Sequence, residues 1–161
     1  MQVSNLLEKW RSRAMKSQHA HYRTARYLSR RNLQFGLPSA ILSAIIGTSL
    51  VVSFEQSPSV TMRVVFGLLS LVAAGLAAGQ TFLRYAERAE KHRAAGAAFG
   101  SIRREIEQFQ VVGSSDGDKI NIFIDSIRNR FDELAAHSPE ISEKIWNEIE
   151  QIAAHEKPAN T

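Results

Sequence analysis

Cysteine is absent from this 161-residue chain, which excludes disulfide frameworks, thiolate metal sites and cysteine nucleophiles. Charge is missing just as completely from two long stretches, residues 32–54 and 64–83. No Gly-rich phosphate loop occurs outside those stretches, and there is no His-Glu-x-x-His zinc motif. Strand-like alternation and internal repeats are missing as well. Every familiar catalytic constellation is therefore lacking, and the reading is of a chain that is not an enzyme and carries no cofactor.

What is there begins with the two uncharged stretches. They contain 23 and 20 residues, and at about 1.5 Å per residue they reach roughly 34 and 30 Å as helices, enough for a hydrocarbon core of about 30 Å. A soluble core helix of that length shows a polar face at 3.6 spacing. Residues 40–52 offer only Ser43, Thr48 and Ser49 among Ile, Leu, Val, Ala and Gly. A signal peptide is also a poor match, since the first apolar run starts far from the N-terminus and ends in Ser53-Phe54-Glu55 without a small-x-small cleavage pattern. The sequence predicts two transmembrane helices, at 33–54 and 64–83, joined by a loop at 55–63.

Basic residues orient the spans. Residues 1–31 hold eight Lys and Arg against Glu8, and Arg84, Arg88, Lys91, Arg93, Arg103 and Arg104 follow the second span, whereas the loop has only Arg63 and Glu55. By the positive-inside rule both termini are cytoplasmic, and a nine-residue loop makes the helices antiparallel neighbours in the membrane. Residues 1–104 carry net +11 and residues 105–161 net −7, which sum to the chain's +4. That basic excess beside membrane spans fits anionic lipid better than nucleic acid. Arg26, Arg30, Arg31, Arg84 and Arg88 form the lipid-facing collar.

The flanks also read as helices. Leu7, Trp10, Ala14, Ser17, His21, Thr24 and Leu28 recur at steps of three and four in a basic helix over 4–31. Tyr85, Ala89, His92, Gly96, Phe99, Ile106 and Phe109 make a matching stripe in a stem over 84–110. A turn-rich loop at 111–118 offers Asp116 or Asp118 as a helix cap. Beyond it, 119–157 forms an acidic extension of two amphipathic helices: Ile120, Phe123, Ile124, Ile127, Phe131 and Leu134 line the first, and Ile141, Ile145, Ile149 and Ile152 the second. Ser138-Pro139-Glu140 reads as the start of the second helix, and both are expected to fold back on the basic segments. The fold class is all-α, a two-transmembrane hairpin with cytoplasmic helices.

Inside the membrane the informative residues are small or polar. Gly75 and Gly79 are four apart on the second span, and Ser39, Ser43 and Gly47 repeat that step on the first. An equal-depth register sets Ser39 beside Gly79, Ser43 beside Gly75 and Gly47 beside Leu71. Gly47, Gly75, Gly79 and Gln80 are thus candidates for helix packing. Ser39, Ser43, Ser49 and Ser53 span an arc of about 120° and, with Ile46 and Leu50, are the candidates for lining a pore shared by several copies. Gly36 and Pro38 mark either a hinge or a simple change of direction at the membrane entry.

Of the five histidines, His19 and His21 point to different faces, and no cluster suits a metal. His21 and His92 sit on the two cytoplasmic seams, where they form either a packed, hydrogen-bonded pair or a pH-sensitive one.

The basic helix with Trp10, His21-Tyr22 and Tyr27, the Gly36-Leu37-Pro38-Ser39 entry, and the run from Gln80 through Arg93 to Phe99, Ile102 and Ile106 together resemble the SLATT family over residues 5–110. These are bacterial two-transmembrane effectors associated with nucleotide-second-messenger synthases and SLOG sensors. The resemblance implies a homo-oligomeric effector of an antiviral conflict system that forms or opens a pore when a separate sensor or nucleotide-signalling protein activates it. A membrane-anchored scaffold for a cytoplasmic partner is the alternative, and a phage-type lysis hairpin fits least well because of the long patterned tail.

Overall fold

A computed structural model describes residues 2–53, 59–113 and 116–155, with only the backbone at residues 2 and 49–53. Five helices follow in order: α1 (Gln2–Ser53), α2 (Val60–Leu83), α3 (Tyr85–Val112), α4 (Gly117–His137) and α5 (Glu143–His155). No strand occurs among the described residues. The helices divide between two compact units, one made of residues 1–26 and 89–161 and the other of residues 27–88.

In the first unit the seam read from the sequence is buried. Leu7, Ala14, Ser17, His21 and Thr24 of α1 are covered, as are Ala89, His92, Gly96, Phe99 and Ile106 of α3. Close approach of the two helices depends on glycine: a Cβ at Gly96 would stand 3.3 Å from the Tyr22 ring and 3.4 Å from the Gln18 carbonyl. The core continues into α4, where Ile127 and Phe131 join Leu7, Ala14, Phe99, Ile102 and Ile106. Phe109 stacks flat on Phe123 with ring centroids 4.0 Å apart. The acidic helices therefore fold back on the basic segments, and Arg23 meets Glu148 of α5 at 2.6 Å.

Two chain ends in this unit have clear local causes. Gly113, at φ 68°, lets its N–H return to the Phe109 carbonyl at 2.9 Å and closes α3. Asp116 then caps α4 by accepting from the Asp118 N–H at 3.1 Å. One boundary departs from the sequence reading. Ser138 does not start α5; its N–H donates to the Leu134 carbonyl and ends α4, and α5 begins at Glu143 after Ser142 accepts from Ile145 and Trp146. The Ser-Pro-Glu signature is equally compatible with a turn, and closure of α4 decided between them.

In the second unit, α1 and α2 lie side by side. Asn32 and Gly36 meet Gln80 while Ser39 meets Ala73, so the helices run antiparallel. Phe35 stacks on Tyr85 at 5.9 Å. α1 is unbroken through Gly36 and Pro38 even though Pro38 has no N–H to give the carbonyl four residues back. The interruption falls on the other helix: Arg84, between α2 and α3, takes the left-handed conformation at φ 46° and ψ 39°.

Candidate functional site

Several hydroxyls of α1 and α2 are satisfied within their own helix, as a helix in lipid requires. Thr48 donates to the Ala44 and Ile45 carbonyls, Ser70 to Phe66 and Thr81 to Ala77, each within its own helix. These hydroxyls need no partner helix, so their presence is no argument for assembly. Among the described residues, two hydrogen bonds cross between α1 and α2. Ser39, 7 % exposed, donates to the Ala73 carbonyl at 3.3 Å. Gln80 Nε2 donates to Asn32 Oδ1 at 3.3 Å, and the missing side chain of Gly36 makes room for it, since a Cβ there would lie 2.8 Å from that nitrogen.

This arrangement separates residues that the sequence groups together. Ser39 lies against Ala73 and not Gly79, so the register is shifted from the equal-depth expectation. Sequence arithmetic assumes straight helices of equal pitch leaving a symmetric loop, whereas packing around Ala73 and Gln80 sets the actual offset. Ser43 is exposed and Ile46 half-buried. The side chains of Ser49, Leu50 and Ser53 lie outside the described residues, as do residues 55–58 of the expected loop, while its residues 60–63 are helical and open α2 behind the Ser59 cap. Nothing stands within 4 Å of a Cβ placed at Gly47, Gly75 or Gly79. Those three glycines leave open space where a side chain would stand, whereas Gln80 bonds to Asn32 of α1.

The outer surface is apolar. Leu33, Leu37, Ile41 and Ile45 line one exposed face of α1, and on α2 Leu68, Leu71, Val72 and Phe82 are also exposed, Phe82 to 86 %. Among the described residues, Val60–Val112 contains the stretch long and apolar enough to cross a membrane, and 6 % of that apolar window is buried. Apolar surface of this extent calls for lipid or other protein. At the end of the span, Arg84 stays exposed and pairs with Glu87, and its N–H still closes α2 on the Gln80 carbonyl at 3.3 Å. Sequence reasoning missed its backbone strain because nothing in an arginine forecasts a positive φ. Elsewhere in the collar, Arg31 lies over the Tyr27 ring, while Arg26, Arg30 and Arg88 are exposed.

In the helical unit, His21 and His92 meet. Their Nδ1 atoms are 3.0 Å apart, both side chains are 3 % exposed, and the His21 ring stacks on Phe99 at 5.5 Å. One imidazole must donate and the other accept, so the neutral pair holds opposite tautomers. Burial, and secondarily the facing His92, pushes His21 down to about 4 from an ordinary 6.5. Near neutrality His21 is an uncharged structural contact. No group of three or more His, Cys, Asp or Glu able to hold a metal occurs among the described residues.

Comparison with curated proteins and with solved structures returns no match. A family model does match, over residues 3–148, covering all of α1 to α4 except the first residue of α1, together with the start of α5. With an all-helical fold, two uncharged stretches and an apolar exposed span, the chain belongs to the SMODS and SLOG-associating two-transmembrane effector domain family 4.

Proposed function

We propose that this protein is an inner-membrane effector of a bacterial antiviral conflict system, with both termini cytoplasmic, whose hairpins assemble into a homo-oligomer that forms or opens a pore. The observation that carries this reading is the open glycine face of α2. Gly75 and Gly79 share one side of the helix, and a Cβ at either would meet nothing within 4 Å among the described residues, which leaves a surface that a second helix backbone can approach closely in lipid. Two helices cannot enclose a channel, so conduction requires several copies.

Ser43 and Ile46 are the described residues best placed to line such a pore, and by sequence the same arc continues to Ser49, Leu50 and Ser53. Ser39 is engaged with Ala73. With no charge in either span, selectivity would rest on hydroxyls and an apolar constriction. Arg30, Arg31, Arg84 and Arg88 suit anionic headgroups, and the activating sensor is a separate protein. Gly36 and Pro38 remain candidate points of bending, alongside the strained backbone at Arg84.

The test is mass measurement in nanodiscs together with dye leakage from liposomes, for the parent and for Gly75→Leu/Gly79→Leu. The parent should be oligomeric and leaky, and the variant monomeric and tight. A monomeric parent, or equal leakage from both proteins, refutes the reading.

A further inference from the structure

Lys16, His19, Arg23 and Arg26 follow one another on α1 at steps of three, four and three, the spacing that aligns side chains along a single helix face. In the helical unit this face borders a cavity of about 490 Å³, within the size range of small-molecule sites. Arg93 reaches it from α3, and α5 contributes Ile149, Ile152 and Ala153. Tyr22 adds an aromatic wall beside those aliphatic groups.

Among the described residues, no carboxylate lines this cavity. A neighbouring cleft of about 410 Å³ between α1 and α5 is different, because Glu8 and Glu150 there offset Lys9, Arg13 and Lys16. Arg23 is held by Glu148 at 2.6 Å and Arg93 pairs with Glu90. Lys16 and Arg26 have no ion-pair partner among the described residues. Arg26 therefore carries a charge that no carboxylate among the described residues answers, and Arg93 lines the same cavity.

From this geometry we propose that the cavity binds a phosphorylated molecule with an apolar or planar body. The phosphate sits between Arg26 and Arg93, whose guanidinium groups match its oxygens in pairs. The body lies against Tyr22, Ile149 and Ile152. Occupancy ties α5 to α1 and α3. Such a phosphate can come from a soluble organophosphate or from the headgroup of an anionic lipid, and the site chemistry is the same for both. The proposal does not depend on pore formation.

The experiment is calorimetric titration of the full-length protein in neutral phosphatidylcholine nanodiscs with 1-naphthyl phosphate. Measurable binding is expected, at least about tenfold weaker for neutral 1-naphthol and about tenfold weaker in Arg26→Ala/Arg93→Ala, as the loss of charged hydrogen bonds implies. Glu148→Gln frees Arg23 and should tighten binding several-fold, while Arg104→Ala, outside the cavity, should leave it unchanged. Intrinsic emission from Trp10 and Trp146 verifies that each variant is folded. If phosphatidylglycerol added to the discs displaces the probe, a lipid headgroup is the source; if it does not, a soluble ligand is. Undetectable binding at millimolar probe, or equal binding by the parent and the Arg26→Ala/Arg93→Ala variant, overturns the proposal.

Discussion

Acidification should loosen the helical unit through the His21–His92 contact. The folded protein holds His21 neutral, with a pKa of about 4 against 6.5 in the unfolded chain. A base whose folded pKa is depressed binds protons more weakly when folded, so its stabilising share is complete above pH 6.5. It is lost as pH falls from 6.5 towards 4. The full difference corresponds to about 3 kcal/mol, and the share lost by pH 5 is about 2 kcal/mol. Screening reduces this little, because both rings are 3 % exposed. A second proton would set two N–H donors face to face across 3.0 Å.

The assay is urea unfolding in neutral detergent micelles at pH 7.5 and pH 5.0, followed by tryptophan emission. Trp10 and Trp146 are the chain's two tryptophans, and both belong to the helical unit. A loss of 2 kcal/mol lowers the urea midpoint by about 1 M at a typical slope. The control is His21→Asn/His92→Asn, whose amides replace the Nδ1 positions without titrating in this range. It should be less stable than the parent at pH 7.5 yet nearly flat between the two pH values, apart from the carboxylate contribution common to both proteins. If it loses as much stability on acidification as the parent, the histidine pair is not the source and the reasoning fails.

Arg84 carries a left-handed backbone at the junction of α2 and α3. Replacing it with Gly should leave stability within about 1 kcal/mol of the parent, whereas Arg84→Val should cost about 1–2 kcal/mol, since a β-branched side chain tolerates that conformation worst; equal melting temperatures for the two variants would contradict this. The absence of native cysteine makes topology directly readable. In intact cells, Ser57→Cys should react with an impermeant thiol reagent while Ser4→Cys stays protected, and the reverse pattern would invert the orientation.

Periodicity along one helix was legible without a structure. The three-and-four spacing of Leu7, Ala14, Ser17, His21 and Thr24 depends only on helical geometry, and those side chains are buried. The uncharged stretches and the family resemblance likewise follow from local composition and motif. Which residues face one another across helices was not legible. Ser39 meets Ala73, Gln80 reaches Asn32 through the space left by Gly36, and Gly75 and Gly79 stay uncovered. Each outcome depends on the offset between two helices, a packing quantity that no single segment encodes. The start of α5 turned on whether Ser138 closed the preceding helix or opened the next. The basic cavity needed tertiary structure most of all. In sequence Lys16, His19, Arg23 and Arg26 share no more than a helical spacing, and folding brings Arg93, more than 60 residues away, and Ile149 and Ile152 of α5 beside them. A charged site exists only where distant side chains share one space, and packing of the whole unit determines that space.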